Sequence, residues 1–278
     1  MVRKLIMTAD DFGASAAVNA AVLRAHREGV LTSASLMVTG DAAGEAVTLA
    51  RATPSLAIGL HVALADARPA LPASEVPHLA GVDGKLERHP ARAWLRLATS
   101  AAARREAARE VETQFERFAA TGLALAHVDG HHHLHLHPAV FPLVARLASR
   151  FGARGIRLPW EGLRSFPGAS PRRAALDAAV LGTLAIRWRG EARRLGLRFA
   201  GRVHGILRSG SMDASYLLAL LARLPSGSAE IFLHPSTSTG DVFGPNPGDL
   251  AALVDPAVRA ALHGGGFELT TYAALEEA

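Results

Sequence analysis

The chain has 278 residues, of which 49% are hydrophobic and 20% charged, a composition typical of a globular protein and not of a disordered one. It contains no cysteine, which excludes disulfides, thiolate metal sites and cysteine nucleophiles, so any metal ligand must be His, Asp or Glu. The formal charge of +5 permits anionic partners, but only 5% of the residues are aromatic and no nucleic-acid-binding motif occurs, so no nucleic-acid partner is expected.

Short apolar runs alternate with alanine-rich helical stretches along the chain. Strands are predicted at residues 4–8, 33–38, 56–60, 123–128, 155–158, 202–207, 229–233 and 267–271. Helices are predicted at residues 18–28, 43–52, 94–120, 139–150, 171–198, 214–223 and 250–263. This alternation favours parallel βα units, arranged either as a closed or partly closed barrel or as an open sheet. Residues 66–90, rich in Pro, Asp, Gly and His, are predicted to be a loop or lid, and 171–198 an Arg-flanked helical insertion.

Acidic and imidazole side chains follow several of the predicted strands. Asp10 and Asp11 follow the first strand and His61 the third, while Asp129 and His234 follow two later ones. Active sites of βα-barrels and open α/β sheets lie at the carboxyl ends of the strands. We therefore expect these groups to meet although they are distant in sequence.

The neighbouring pair Asp10 and Asp11 has two interpretations. Adjacent side chains of an extended strand point to opposite sides, so one carboxylate would bind a metal while the other faces a water molecule. Alternatively, Asp11 caps the helix that follows it. An isolated pair of this kind is more often a cap, so the pair alone is weak support for a site.

Residues 129–138, with the sequence DGHHHLHLHP, contain five histidines. Alternate residues of a strand share a face, so an extended segment would place four of these imidazoles on one side: His131, His133, His135 and His137. An Asp and two His form a mixed oxygen and nitrogen ligand set, typical of catalytic rather than closed structural metal sites. A divalent ion in such a site activates water and polarises a carbonyl, which suits amide or ester hydrolysis.

Three further residues are candidates for the same site. His234, which precedes Pro235, would bind substrate as a neutral ring or donate a proton to a leaving amine as a charged one, and the alternative is a loop histidine packed on the proline. Arg157 and Glu161 are four residues apart, and we expect an ion pair between them at the rim of the site, where they would contact substrate together with His133.

Three motifs resemble, in order and spacing, the signatures of the YdjC-like carbohydrate deacetylases, a family that includes the chitooligosaccharide deacetylase ChbG. They are TADDFG at residues 8–13, GLH at 59–61 and HVDGHHHLH at 127–135. The resemblance extends from Leu5 to about Tyr272. Residues 209–213, the helix after them and EIFLHP at 230–235 also resemble the hopanoid-biosynthesis-associated, HpnK-type subgroup. The sequence departs from the ChbG pattern at Gly130 and His137, and neither is a proposed ligand.

The resemblance implies a fold and a set of roles. The fold is α/β, a single-domain βα-barrel of distorted TIM type over residues 1–278, with seven or eight mostly parallel strands. A metal would be held by Asp11, His61 and His131, with the choice of His131 over His133 open. Zn²⁺ or Mg²⁺ is implied, and Mn²⁺ and Co²⁺ also suit the ligand set. Asp10 would be the base that takes a proton from water, and His234 the acid that protonates the departing amine.

The implied reaction is removal of the N-acetyl group from an acetylated amino sugar, which in the hopanoid subgroup is linked to a triterpenoid lipid. Residues 174–186 are mainly apolar and flanked by arginines, a pattern typical of peripheral contact with an anionic membrane surface. An ordinary core helix or a homodimer helix is the alternative interpretation. The competing functions are a soluble chitooligosaccharide or diacetylchitobiose deacetylase and a His-rich protein that stores or senses metal.

The expected location is the cytoplasm. The apolar stretch near the amino terminus is about four residues long, which is too short for a signal peptide. No apolar run reaches the roughly 18 residues that a membrane-spanning helix needs.

Overall fold

A computed structural model describes residues 3–162, 172–240 and 246–276. Its centre is an eight-stranded sheet in which the pairings between the named strands are all parallel. The strands are β1 (Arg3–Phe12), β2 (Ser33–Leu36), β3 (Ala57–Val62), β4 (His127–Gly130), β5 (Gly155–Ile156), β6 (Arg202–His204), β7 (Gly227–Leu233) and β8 (Phe267–Leu269). Their order is β5-β4-β3-β2-β1-β7-β6, and β8 pairs with the first residues of β1. The predicted βα alternation is confirmed.

The sheet is curled, and its two edges approach each other. The Ile156 N–H on β5 donates to the carbonyl oxygen of Arg198 at 2.9 Å, and Gly155 forms a parallel bridge with the same residue. Arg198 lies shortly before β6, the strand at the opposite edge. The architecture is therefore a half-barrel of parallel strands, as the barrel-like prediction requires.

Nine helices lie along the described part of the chain. They are α1 (Ala16–Glu28), α2 (Ala43–Arg51), α3 (Pro90–Thr99), α4 (Ala101–Ala120), α5 (Phe141–Arg150), α6 (Arg172–Arg194), α7 (Ala214–Leu221), α8 (Pro247–Val254) and α9 (Pro256–Gly264). The predicted insertion at 171–198 corresponds to α6, and its first residue lies outside the described residues. The described helices include none with the length and apolar character that crossing a membrane requires.

Two of the predicted helices are wrong because each is divided by a capping residue. Ser100 has an extended backbone, with φ −107° and ψ 118°, and its side chain accepts a hydrogen bond from the Ala103 N–H, which separates α3 from α4. Asp255 is extended as well, because it precedes Pro256, and its side chain accepts from the Ala257 N–H at the start of α9. The prediction of one continuous helix at 94–120 and another at 250–263 did not take these two caps into account.

Strand β1 lies in the middle of the sheet and is buried from Leu5 to Phe12. Its register with β2 shifts between Ala9 and Phe12, and Asp11 within this bulge has φ 62°. A bulge re-aims side chains, so both aspartates of the strand reach the same carboxyl-end region of the sheet. The capping interpretation of Asp11 is wrong, since the N-cap of α1 is Ser15, whose side chain accepts from the Val18 N–H.

The segment at 66–90, predicted to be a loop or lid, is fastened to α4. It contains a 3₁₀ turn at Ala73–Glu75 and an isolated antiparallel bridge between Ala80 and Leu86. Buried Glu110 on α4 accepts the N–H groups of Ala70 and Leu71 at 2.6 and 2.9 Å. A carboxylate that satisfies two backbone donors fixes the course of the loop after β3.

We predict that Gly59→Ala destabilises the protein, because a methyl group on Gly59 would lie 2.4 Å from the ring of His127. That ring cannot easily move, since it stacks on Tyr272 and its Nε2 lies 3.1 Å from the Ser35 hydroxyl. Overpacking of this kind costs about 1–3 kcal/mol in the free energy of unfolding, measured by denaturant titration. Gly44→Ala is the matched control, because nothing lies within 4 Å of its added methyl, and equal stability losses in both variants would contradict the prediction.

Candidate metal centre

Three side chains from distant parts of the sequence meet at the carboxyl end of the sheet. Asp11 lies on β1, His61 on β3 and His131 directly after β4. Asp11 Oδ1 is 3.3 Å from His61 Nε2 and 3.0 Å from His131 Nδ1. Ligand atoms that each lie about 2.0–2.2 Å from one zinc-sized ion are separated by about 3–3.6 Å, depending on the coordination geometry. All three ligand atoms lie within 4.8 Å of one another, a spacing that is compatible with a shared cation.

The electrostatics of this cluster also favour a positive charge. Asp11 Oδ1 is buried and, among the described residues, accepts no hydrogen bond of normal geometry. Burial opposes the ionised form of Asp11, but His131 and His61 outweigh it and hold the pKa of this carboxyl well below its usual range. Burial also opposes the charged form of His61, but Asp129 and Asp11 raise its pKa to about 10. The negative charges around His61 therefore favour a proton on its ring, and they would favour a bound divalent ion in the same way.

Asp129 on β4 orients His61. His61 Nδ1 lies 2.8 Å from Asp129 Oδ1, so the tautomer that donates to the carboxylate leaves Nε2 facing Asp11. The second oxygen of Asp129 accepts from the Ser35 hydroxyl at 2.7 Å. Burial alone would raise the pKa of Asp129, but Arg157 and then His61 hold it well below its usual range. A carboxylate behind a ligand imidazole is typical of metal sites, where it fixes the ring and raises its basicity.

Asp10 is held by a buried arginine. Arg157 Nη1 and Nη2 donate to the two oxygens of Asp10 at 2.7 and 2.8 Å, a bidentate pair. The same guanidinium lies 2.9 Å from Asp129 and donates to Glu230 Oε1 through Nε and Nη2. Its three carboxylate partners offset the cost of burial and hold the pKa of Arg157 well above its usual value. This network fixes the orientation of the Asp10 carboxylate.

The expected ion pair between Arg157 and Glu161 at the rim of the site is wrong. Arg157 is fully buried and bonds to carboxylates inside the barrel. Glu161 is buried as well, and it accepts the N–H groups of Ile206 and Leu207 at 2.8 and 3.0 Å. The spacing of four residues brings side chains together on a helix, whereas this segment has no helix. Both residues position other groups and neither is among the residues that line the cavity, so their contact with substrate stays a prediction.

The prediction that four alternate histidines line one side of an extended segment is wrong. Residues His131–Leu136 form a 3₁₀-type turn in which His132 and His133 have left-handed φ values of 51° and 56°. This conformation breaks the alternation of a strand, so the imidazoles face different surroundings.

Three further imidazoles of this segment have contacts of their own. His133 packs edge-on against Phe232, and burial and then the charge of Arg157 keep its pKa well below the usual value, so its ring is neutral. His135 Nε2 lies 3.0 Å from the carbonyl oxygen of Arg157. His137 packs against Trp94. His131, and not His133, therefore provides the nitrogen nearest to Asp11.

A cavity of about 820 Å³ opens over the cluster. Asp10, Asp11, His61 and the histidines at 131–133 form its polar floor, and His234 Nε2 lies 4.0 Å from Asp10 Oδ2. Apolar side chains form part of its wall: Pro90, Ala91, Trp94, Leu176, Val180, Leu181, Ile206 and Phe232. A second group that could hold an ion, Asp66 with His131 and His132, lies at the same cavity and is more exposed.

The sequence interpretation missed three buried members of the site. Ser35 bonds to Asp129, while Glu230 accepts from Arg157, from the Thr8 hydroxyl at 2.7 Å and from the Tyr272 hydroxyl. One signal was available for Glu230, because a lone acid inside the apolar strand β7 must have a buried partner. No local pattern marks Ser35 or Tyr272, whose roles depend on strands that pair across the sheet.

Comparison with known proteins places the chain in a family. The family model described as "YdjC-like protein" matches residues 4–264. A carbohydrate deacetylase of Geobacillus stearothermophilus is 33% identical over 279 residues, which cover 98% of each chain. The chain belongs to the YdjC-like family. A chitooligosaccharide deacetylase of Salmonella schwarzengrund is 39% identical to this YdjC-like protein over 159 residues, which cover 57% of this chain and 59% of that protein.

The fold of this YdjC-like protein also occurs in a crystal structure from Enterococcus faecalis V583, described there as a candidate cellobiose-phosphate cleavage protein. The two structures have a TM-score of 0.74, at 24% sequence identity and with 98% of each chain covered. This likeness concerns the fold alone.

We predict that this YdjC-like protein binds close to one divalent ion per chain, measured by elemental analysis after dialysis. His61→Gln and Asp11→Asn are each expected to lose the ion, since either change removes one of the three clustered ligand atoms. His263→Gln, at an exposed position on α9, is the control and should keep it. Several weakly held ions per chain, unaffected by either site variant, would contradict the prediction and favour a metal-storing protein.

Proposed function

We propose that the protein is a metal-dependent hydrolase that removes the N-acetyl group from an acetylated amino sugar. The observation that carries this proposal is the Asp11, His61 and His131 cluster beneath the cavity, with the paired Asp10 beside it. The relatives named as carbohydrate deacetylase and chitooligosaccharide deacetylase support the same reaction class. Zn²⁺ and Mg²⁺ are the proposed ions, with Mn²⁺ and Co²⁺ as further candidates, since two imidazoles and one carboxylate suit several of them.

Asp11, His61 and His131 would hold the ion, which supplies Lewis-acid chemistry that acidifies water and polarises the acetamide carbonyl. Asp10 would accept the proton of the attacking water. Each oxygen of Asp10 accepts one hydrogen bond from Arg157 and keeps a second lone pair free to accept a proton. The two hydrogen bonds from Arg157 fix the direction in which these free lone pairs point.

His234 would act as the acid of the reaction. Directly after β7, it lines the cavity with a side chain that is 20% exposed, and its Nε2 faces Asp10 across 4.0 Å. A protonated ring there would donate to the nitrogen as the carbon–nitrogen bond breaks, and the products would be acetate and a free amine. Asp10 as the base and His234 as the acid would thus have complementary roles in the two proton transfers. His133, a neutral ring in the cavity, is the proposed substrate contact.

Asp10→Asn should lower kcat by about 10²- to 10⁴-fold, the usual contribution of a general base. The ion content should stay the same, because Asp10 is not one of the three clustered ligands. Steady-state hydrolysis of an N-acetylated amino sugar measures the effect, and a denaturant titration checks that the variant is folded. Unchanged turnover in a folded, metal-loaded variant would remove Asp10 from the mechanism.

We further propose that the sugar is linked to an apolar lipid, of the N-acetylglucosaminyl hopanoid kind, and that the protein belongs to the corresponding subgroup. The apolar wall of the cavity supports this, because Leu176 and Val180 on α6 line it and are 64% and 49% exposed in the described part of the chain, so an apolar ligand would cover them. Peripheral contact of α6 with a membrane is part of this proposal, and binding to anionic vesicles measures it. A homodimer that buries the same helix face is the competing prediction, which analytical ultracentrifugation measures.

Mass spectrometry of reactions that offer N-acetylglucosaminyl hopanoid and diacetylchitobiose in parallel tests the substrate. We expect loss of one acetyl group from the lipid-linked sugar. Val180→Asp should lower kcat/KM for that substrate by about tenfold and spare diacetylchitobiose, since it replaces apolar contact area on the cavity wall with a charged carboxylate. Thr183→Asp, exposed on the same helix and outside the cavity wall, is the matched control. Preference for diacetylchitobiose, with no effect of Val180→Asp, would instead support the soluble chitooligosaccharide deacetylase.

A further inference from the structure

Three arginines gather around two aromatic rings at the far end of α6. The guanidinium carbon of Arg202, at the start of β6, lies 3.5 Å from the centre of the Trp160 ring, and that of Arg189 lies 4.6 Å from it. Arg189 and Arg193 also lie 5.6 and 5.3 Å from the centre of the Phe199 ring. The rings hold the flat faces of these cations and leave their N–H edges available. We name these three arginines, with Trp160 and Phe199, the arginine cluster.

The arginine cluster has no counter-charge within the described part of the chain. None of its guanidinium groups forms an ion pair there, whereas Arg194 on the same helix pairs with Glu191, and Arg157 pairs with three carboxylates. Burial, followed by the charges of Arg193 and Arg202, lowers the pKa of Arg189. Three cations are therefore packed together against their mutual repulsion.

The hydrogen-bonding capacity of the arginine cluster is mostly unused as well. Arg189 donates through Nη2 to the Gly201 carbonyl at 3.2 Å, while its Nε is buried and has no acceptor among the described residues. Buried donors without an acceptor are rare in proteins, because desolvation without a hydrogen bond is costly. An external acceptor would relieve both this cost and the repulsion between the cations.

We propose that the arginine cluster is a binding site for the phosphate group of an anionic ligand. The planar fork of a guanidinium matches two phosphate oxygens, and several neighbouring arginines match a charge of more than one. The site is separate from the metal centre. Helix α6 contacts the cavity near Val180, and Arg189 lies nine residues further along the same helix. At a rise of 1.5 Å per residue, this separation is about 13 Å. Either a phospholipid headgroup or a soluble phosphate compound supplies this chemistry.

Phosphate binding to the metal-loaded full chain tests the site directly. Trp160 is part of the arginine cluster, so the tryptophan fluorescence of the protein should change as inorganic phosphate is added, relative to chloride at equal ionic strength. We expect a saturable response whose apparent Kd rises about tenfold or more in Arg189→Gln and Arg193→Gln, since each removes a charged donor. Arg193 is exposed, so its replacement leaves the core unaltered.

Arg187→Gln is the matched control, because it removes the same charge from the same helix at a residue that contacts Trp188 instead of the arginine cluster. Its phosphate response should stay within about twofold of the wild-type response. Absence of a saturable response in the wild type, or an equal loss in all three variants, would overturn the proposal. The readout is binding and not turnover, so the result is separate from the fate of the proposed deacetylase activity.

Sedimentation with vesicles distinguishes the two sources of phosphate. Binding to phosphatidylcholine vesicles that contain phosphatidylglycerol, lost in Arg189→Gln and kept in Arg187→Gln, would identify a lipid headgroup. A phosphate response without vesicle binding would identify a soluble phosphate compound, and both results support the site. Vesicle binding reduced equally by both variants would indicate diffuse surface charge and would contradict a specific site.

Discussion

The buried guanidinium of Arg157 is the interaction on which the site depends. It joins Asp10, Asp129 and Glu230, which come from three different strands, at the carboxyl end of the half-barrel. A buried charge is tolerated only when it is paired, so this arrangement requires the strands to keep their register. One arginine does not neutralise three carboxylates and the adjacent Asp11. The excess negative charge explains why the cluster favours a proton on His61 and why a divalent ion would suit it.

The parts of the site that could be predicted from sequence are those that depend on strand ends. Asp10, Asp11, His61 and His234 were expected at the carboxyl ends of parallel strands, and the structure places all of them at one cavity. This inference succeeds because parallel strands share a direction, so that residues at the ends of strands meet whatever their distance in sequence.

The parts that could not be predicted depend on backbone conformation and on long-range partners. His132 and His133 have left-handed backbone conformations, so their segment forms a turn. The alternation of its side chains had instead predicted a strand. The bulge at Asp11 lets two neighbouring carboxylates serve one site, which a regular strand would prevent. Arg157 was expected at the rim of the site beside Glu161, because no local pattern shows that three distant acids surround it. Such features follow from the tertiary structure and not from local propensity.

Anomalous X-ray scattering at the absorption edge of the bound metal tests the central claim most directly. One peak is predicted, at about 2.0–2.3 Å from an oxygen of Asp11 and from a nitrogen of each of His61 and His131, with no fourth protein ligand. This arrangement would leave coordination positions open to water and substrate. A peak on Asp66 and His132 instead, a fourth protein ligand that closes the site, or no peak at saturating metal would contradict the account.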